Sequence, residues 1–189
     1  MKLLAIILSV LSSFLANIET KTLQSDFTVT VAEEVNAPMN FPGAVTMQGR
    51  RFKLEMFGME AAYDGQTLYM YSAQTDELTL SHPTEQELVE ANPFLYARAL
   101  VDVCNITERP LTDNPSPVTV ITLTPKDQSI GINRFVLKVR NEDLMPLQVE
   151  IKEGKKVSSL KMKDPKFVTD EQTYVITPEE DTFINDMRL

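Results

Sequence analysis

Hydrophobic and polar side chains alternate at every second position in several short stretches of the chain, a pattern typical of strands with one buried face. Such runs lie at residues 27–31, 44–47, 52–56, 61–71 and 77–81. Gln48-Gly49 is a candidate turn between the second and third runs, and Asp64-Gly65 interrupts the fourth with a pair that favours hairpins. The first part of the chain is therefore predicted to form an antiparallel meander.

The middle of the chain changes from this pattern to a helical one. Thr84 and Glu87 have the spacing of a capping box, Asn92-Pro93 would end that helix, and residues 94–103 are predicted to form a second short apolar helix. Alternation then resumes at residues 118–124, 134–140, 147–152 and 157–162. We predict one mainly antiparallel β domain with a few helices laid against one side.

The first eighteen residues allow two interpretations. A lysine followed by an apolar run resembles a secretory signal, and the run is too short for a stable membrane span. Alternatively, Leu11, Leu15 and Ile18 continue a three- and four-residue spacing that is typical of an amphipathic helix covering a sheet. Both interpretations are kept for residues 1–18, and residues 19–189 are predicted to be a single domain. Because no cysteine follows the apolar run, we expect no N-terminal acylation.

Composition excludes several classes of function. The chain has 189 residues, a formal net charge of −9, one cysteine and one histidine. Negative charge argues against nucleic acid as a partner, and these counts exclude intramolecular disulfides and multi-histidine or cysteine-rich metal sites. His82 is interpreted as a loop residue without catalytic partners, and Cys104 as buried packing. We expect no enzyme activity, no metal and no cofactor.

Two features leave alternatives open. Nine methionines and nine phenylalanines without tryptophan fit either ordinary core packing or an adaptable apolar ligand cavity. Arg50 and Arg51 fit either a solvated hairpin end or a contact that holds a helical lid over the sheet, since guanidinium donates several directed hydrogen bonds.

The order of several short motifs resembles the outer-membrane lipoprotein carrier protein (LolA) family, of the Bacteroidetes type. The motifs are SDFT at residues 25–28, GRRFKLE at 49–55, DGQTLYMY at 64–71, DEL at 76–78, NPF at 92–94 and LTP at 123–125. The resemblance extends over about residues 9–183.

This resemblance implies an incomplete antiparallel β-barrel, a half-barrel, whose helices form a lid over an apolar concave face. It also implies a monomeric periplasmic carrier that takes acylated lipoproteins from an inner-membrane exporter to an outer-membrane acceptor. A lipid-sensing regulatory half-barrel that signals to a protein partner is the alternative.

Alternation and the implied fold together nominate residues for the acyl cavity. The nominated lining is Phe27, Val29, Val31, Phe52, Leu54, Met56, Leu68, Met70, Leu95 and Leu100. Arg50 and Arg51 are the candidates for the contact with the lid.

Overall fold

The computed structural model describes residues 9–34, 36–111 and 116–188. Within these ranges the helices are α1 Val10–Thr20, α2 Glu85–Ala91 and α3 Pro93–Leu100, with a short 3-10 helix at Gln128–Ile130. The strands are β1 Thr22–Glu33, β2 Asn36–Gln48, β3 Arg51–Met56, β4 Met59–Tyr63, β5 Leu68–Ser72, β6 Glu77–Ser81, β7 Cys104–Leu111, β8 Val118–Pro125, β9 Arg134–Arg140, β10 Pro146–Glu153, β11 Lys156–Val168 and β12 Phe183–Asp186.

In the part of the chain that the structure describes, these strands form one twelve-stranded sheet. Its order is β12-β6-β5-β4-β3-β2-β1-β11-β10-β9-β8-β7. Neighbours are antiparallel except β12, which pairs with β6 in parallel. Two meanders, β2 to β6 and β7 to β10, are joined by the pairing of β1 with β11, in which Phe27 lies opposite Met162. The predicted fold class, a mainly β open half-barrel with helices, is confirmed.

Helix α1 shows that this sheet is curved. At one end, the backbone N–H groups of Val10 and Leu11 donate to the carboxylate of Glu108 on β7, at 3.1 and 3.0 Å. At the other end, the N–H of Gly49, after β2, donates to the carbonyl of Ile18 at 2.8 Å. Strands β2 and β7 are six steps apart in the sheet order, about 29 Å in a flat sheet. The 11-residue helix is only about 17 Å long, so the sheet must curl around it.

The concave face of the sheet holds the main core. Leu137 and Phe135 of β9 are fully buried there together with Ile121 of β8. Helix α3 packs on this half, with the ring of Tyr96 6.2 Å from that of Phe135 in an edge-on arrangement. The Phe14 ring of α1 meets the Phe94 ring of α3 edge-on at 5.3 Å. The helices and the β8 to β10 half of the sheet therefore form a continuous apolar cluster.

A second cluster lies on the outer face, where the C-terminal segment, residues 169–188, crosses the sheet. Leu78 and Leu80 of β6 are buried, and their register partners on β5 are the tyrosines that face away from the concave core. Tyr174 is also buried, with the Arg51 guanidinium 5.1 Å from its ring centre. The segment then adds β12 beside β6, where the N–H of Met187 donates to the carbonyl of Leu80 at 2.8 Å.

Several element boundaries differ from the sequence-based expectations. The helix predicted over residues 94–103 ends at Leu100, and β7 and β12 were not predicted. Strand β11 continues through Pro165 because the ladder shifts register there, which accommodates a residue without an N–H.

The predicted boundary between residues 18 and 19 falls inside α1. Residues 1–8 lie outside the described residues, so the choice between signal and helix for the whole segment, and the domain division, stay predictions.

Candidate functional site

An apolar cavity of about 150 Å³ lies between the concave face of the sheet and the junction of α2 and α3. Four strands contribute its wall: Phe27 and Val29 of β1, Val45 and Met47 of β2, Phe52, Leu54 and Met56 of β3, and Leu160 and Met162 of β11. Its roof is formed by Ala91, Asn92, Pro93 and Phe94.

Strand register explains why the wall is continuous and apolar. Residues directly opposite each other in a ladder share a face of the sheet. Val45 lies opposite Leu54, and Val29 lies opposite Leu160. Each pair therefore contributes two apolar side chains to the same side, and the cavity crosses four strands without a polar wall residue.

Gly43 of β2 lets one wall residue lie flat on the sheet. It pairs with Phe27, and a Cβ built on Gly43 would lie 2.8 Å from Cε2 of that ring and 2.6 Å from the carbonyl oxygen of Glu55. Only a residue without a side chain leaves room for the phenyl ring here.

The roof is built from two short helices with well-formed N-caps. In α2, the N–H of Thr84 donates to the Glu87 carboxylate at 2.7 Å, and the N–H of Glu87 donates to the Thr84 hydroxyl oxygen at 3.3 Å, a capping box. In α3, the side-chain oxygen of Asn92 accepts from the N–H groups of Phe94 and Leu95 at 3.0 and 3.3 Å. Asn92 thus ends one helix and begins the next.

Two ion pairs attach the helices at the surface. Arg50 forms a two-pronged pair with Glu85 in the first turn of α2, and the hydrogen bond to this carboxylate raises the pKa of Arg50. Arg98 of α3 lies 3.0 Å from the carboxylate of Glu19 on α1. The four side chains are 45–66% exposed to solvent, so each ion pair contributes little to holding the helices in place.

The structure separates the nominated cavity residues into three groups. Phe27, Val29, Phe52, Leu54 and Met56 line the cavity. Leu100 is buried in the main core, while Val31 and Leu68 are half-buried beyond the cavity. Leu95 lines a surface groove together with Arg50 and Arg98, and Met70 is 39% exposed.

The two nominated arginines also lie apart. Arg50 contacts the lid helix α2 through Glu85, whereas Arg51 donates to the Gln48 side chain at 2.6 Å and stacks on Tyr174 at the outer face. A part for either residue in ligand entry stays a prediction.

Several cavity residues were missed by sequence reasoning. Val45 and Met47 belong to a predicted strand, and their alternation was a usable signal. Leu160 and Met162 join the site through the pairing of β1 with β11, which no local sequence pattern predicts because the two strands are far apart in the chain. Asn92 was noted only as a helix stop.

An exposed apolar rim continues the cavity wall at the end of β3. Met56, which lines the cavity, pairs with Met59, which is exposed. Phe57, which follows Met56 in the chain, adopts a positive φ of 61°, is exposed, and packs its ring 4.6 Å from that of Phe41. This rim places methionine and phenylalanine side chains in water beside the cavity.

The reactive side chains singled out in the sequence lie away from the cavity. His82 is exposed, and Cys104 is buried in the core, where burial raises the pKa of its thiol. Among residues 9–34, 36–111 and 116–188, there is no cluster of acidic, histidine or cysteine side chains suited to a metal ion. None of the described helices has the length and apolarity to cross a membrane.

Comparison with solved structures supports the fold. A conserved protein of Thermus thermophilus superposes with a TM-score of 0.61 at 14% identity, covering 93% of this chain and 96% of that chain. A chain of the Pseudomonas aeruginosa MucA/MucB complex gives 0.52 at 14% identity, over 86% of this chain and 57% of that one. LprF from Mycobacterium bovis gives 0.50 at 13% identity, over 90% and 96%.

A LolA superfamily protein from Nitrosomonas europaea is also among the similar structures, with a lower TM-score of 0.40 at 14% identity. No family model and no curated protein sequence matches the chain. At these identities the likeness concerns the fold alone.

Proposed function

We propose that this protein is a periplasmic carrier that binds the acyl chains of lipoproteins in the cavity under α2 and α3 and delivers them to the outer membrane. The observation that carries the proposal is a cavity whose wall is apolar across four strands and whose roof is a pair of short helices. An acyl chain needs apolar surface, and burial of each CH₂ group contributes about 0.8 kcal/mol.

The size of the cavity bears on how a chain would enter. A cavity of about 150 Å³ accommodates a molecule about the size of benzene, and ligand sites commonly measure about 300–1,000 Å³. Binding a lipoprotein acyl chain therefore requires the roof helices to move outward. The exposed ion pairs of Arg50 and Arg98 each resist this movement by no more than about 1 kcal/mol.

The delivery part of the proposal rests on the sequence motifs that resemble the LolA family. The exposed methionine and phenylalanine rim beside the cavity offers an adaptable surface for passing a chain to an acceptor. In cells that lack the protein, lipoproteins should accumulate in the inner membrane. Normal sorting in such cells would argue against delivery while leaving lipid binding intact.

Leu54→Glu tests the cavity directly. The substitution places a carboxylate on the apolar wall, where an unpaired charge is strongly disfavoured, so we expect affinity for a synthetic palmitoylated cysteine peptide to fall at least about tenfold. Binding is measured by displacement of the fluorescent dye N-phenyl-1-naphthylamine and by native mass spectrometry.

Thr46→Glu is the matched control. Thr46 lies on the opposite face of the neighbouring strand, directly across from Lys53, so a carboxylate there gains a favourable neighbour and should leave binding unchanged. Equal binding by Leu54→Glu and the unmodified protein would exclude this cavity as the acyl site.

A second candidate is a regulatory half-barrel that senses lipid and signals to a protein partner. It is favoured by the fold likeness to a chain of the MucA/MucB complex, in which a protein of this fold is assembled with another protein. Ligand-dependent capture of one partner from a periplasmic extract, together with normal lipoprotein sorting in cells lacking the protein, would favour this candidate over the carrier.

A further inference from the structure

Asn92 is the polar exception in the cavity lining. The other lining residues have apolar side chains, and Asn92 is 3% exposed. Its side-chain oxygen is committed to the N–H groups of Phe94 and Leu95. Because that oxygen must accept these two hydrogen bonds, the orientation of the amide is fixed and the NH₂ group points away from the cap.

The Asn92 NH₂ group has no hydrogen-bond partner among the residues that the structure describes. Buried donors in folded proteins are nearly always paired, and an unpaired one opposes the form of the protein that buries it. Capping of α3 does not require the NH₂ group, because serine or aspartate at the same position would offer a capping oxygen without it. An unpaired donor in an otherwise apolar site is suited to a ligand with one acceptor atom.

We propose that Asn92 recognises the carbonyl oxygen that links an acyl chain to the rest of the ligand, as an ester or an amide. The inference rests on the proposed acyl-binding function and names the polar contact of that same site. In the closed form the NH₂ group is covered, so it can reach a ligand only if the outward movement of the roof that makes room for a chain also uncovers it. The site then selects acyl esters and amides over plain hydrocarbon chains.

The composition of the lining favours a ligand with a neutral carbonyl over one with a free carboxylate. No lysine, arginine or histidine is among the cavity residues. A carboxylate bound there would lose its hydration without gaining a counter-charge, whereas a neutral carbonyl needs only one donor. Free fatty acid anions should therefore bind less well than esters of the same chain.

The test compares methyl octanoate, decane and sodium octanoate as competitors of N-phenyl-1-naphthylamine. Methyl octanoate and decane have main chains of equal length, and only the ester carries a carbonyl. In Asn92→Ser, which keeps an oxygen for the cap, the ratio of methyl octanoate affinity to decane affinity should fall about three- to tenfold. Because each variant is compared with both probes, the different water solubility of the probes cancels.

Asn92→Asp is the second variant, since it keeps the shape and the cap and replaces the NH₂ group with an oxygen that cannot donate. Its negative charge should weaken binding of both probes, and binding of the ester should fall further than that of decane because its donor is lost. A ratio of ester to hydrocarbon affinity that is unchanged in both variants overturns the inference, as does tighter binding of octanoate than of its methyl ester.

A measurement on the unmodified protein removes the dependence on variant folding. The side-chain NH₂ resonances of Asn92 should shift farther with methyl octanoate than with decane, because only the ester accepts a hydrogen bond from this group, and equal shifts with both would contradict the inference. If none of the three probes binds, the acyl-binding function itself fails; if the hydrocarbon and the ester bind alike, only the role of Asn92 fails.

Discussion

The Phe27 ring and the Glu55 carbonyl approach the backbone of Gly43 so closely that no side chain fits at this position. Gly43→Ala would press a methyl group against the Phe27 ring and the backbone carbonyl of Glu55. We expect a loss of about 1–3 kcal/mol in the free energy of unfolding, typical of an overpacked site, together with weaker ligand binding because the ring lines the cavity. Urea unfolding and dye displacement measure the two effects.

The double variant Phe27→Leu/Gly43→Ala separates the two contacts. Measured against Phe27→Leu alone, Gly43→Ala should cost less stability than it does in the unmodified protein, and the contact with the Glu55 carbonyl accounts for the cost that remains. If Gly43→Ala alone were as stable as the unmodified protein, the close approach would have no energetic importance.

Residue-level prediction from sequence is possible where the signal is local. Alternation along β1 and β3 groups Phe27 with Val29 and Leu54 with Met56, and these side chains lie together on the cavity wall. It could not distinguish a cavity residue from one further along the same face, such as Val31. The unpaired NH₂ group of Asn92 depends on the meeting of two helices over a sheet, which no sequence pattern indicates.

Among the elements, α2 depends on the Arg50 and Glu85 pair for its attachment at the surface. Arg50→Gln and Glu85→Gln should each change the free energy of unfolding by less than about 1 kcal/mol, because the pair is exposed. Both should speed ligand uptake, and raising the salt concentration should speed uptake by the unmodified protein in the same way. Stopped-flow fluorescence with N-phenyl-1-naphthylamine gives the rate.

Arg134→Gln is the matched control for this pair. Arg134 makes a comparable ion pair with Glu150, 2.8 Å apart, between β9 and β10. It touches neither roof helix in these contacts, so its loss should leave the uptake rate unchanged. Equal acceleration in Arg134→Gln would mean that the change in net charge, rather than the ion pair between Arg50 and Glu85, controls ligand entry.

Element prediction failed mainly at strands without clear alternation. Strand β2 begins before its predicted start and contains Pro38 and Pro42, which normally argue against a strand. Strand β7 has exposed side chains along most of its length, so its sequence lacks the alternation that marks a buried face. Strand β12 forms only because the C-terminal segment reaches β6. In each case pairing to a neighbour outweighs local preference.

For the molecule as a whole, the C-terminal segment acts as a cover for the outer face. A chain ending at Val168 would lose Tyr174 and β12, leaving Leu78, Leu80 and the hydrogen-bonding edge of β6 open to water. Open apolar edges promote association, so we expect concentration-dependent oligomers in size-exclusion chromatography and a lower midpoint of thermal unfolding.

Tyr174→Ala provides a milder comparison, since it keeps β12 and removes one buried ring. It should reduce stability without producing oligomers. A monomeric, equally stable truncated chain would show that the segment has no protective role.

The pairing of β1 with β11 has a consequence for how the chain acquires its structure. Both meanders form from neighbouring strands, whereas β1 and β11 come from opposite ends of the chain, and distant contacts form slowly because a long loop must close first. Since Phe27, Val29, Leu160 and Met162 belong to this pair, the cavity should be among the last parts to appear during folding. Until then its apolar wall is exposed as two separate halves, and a newly made chain is most vulnerable to misassembly in that interval.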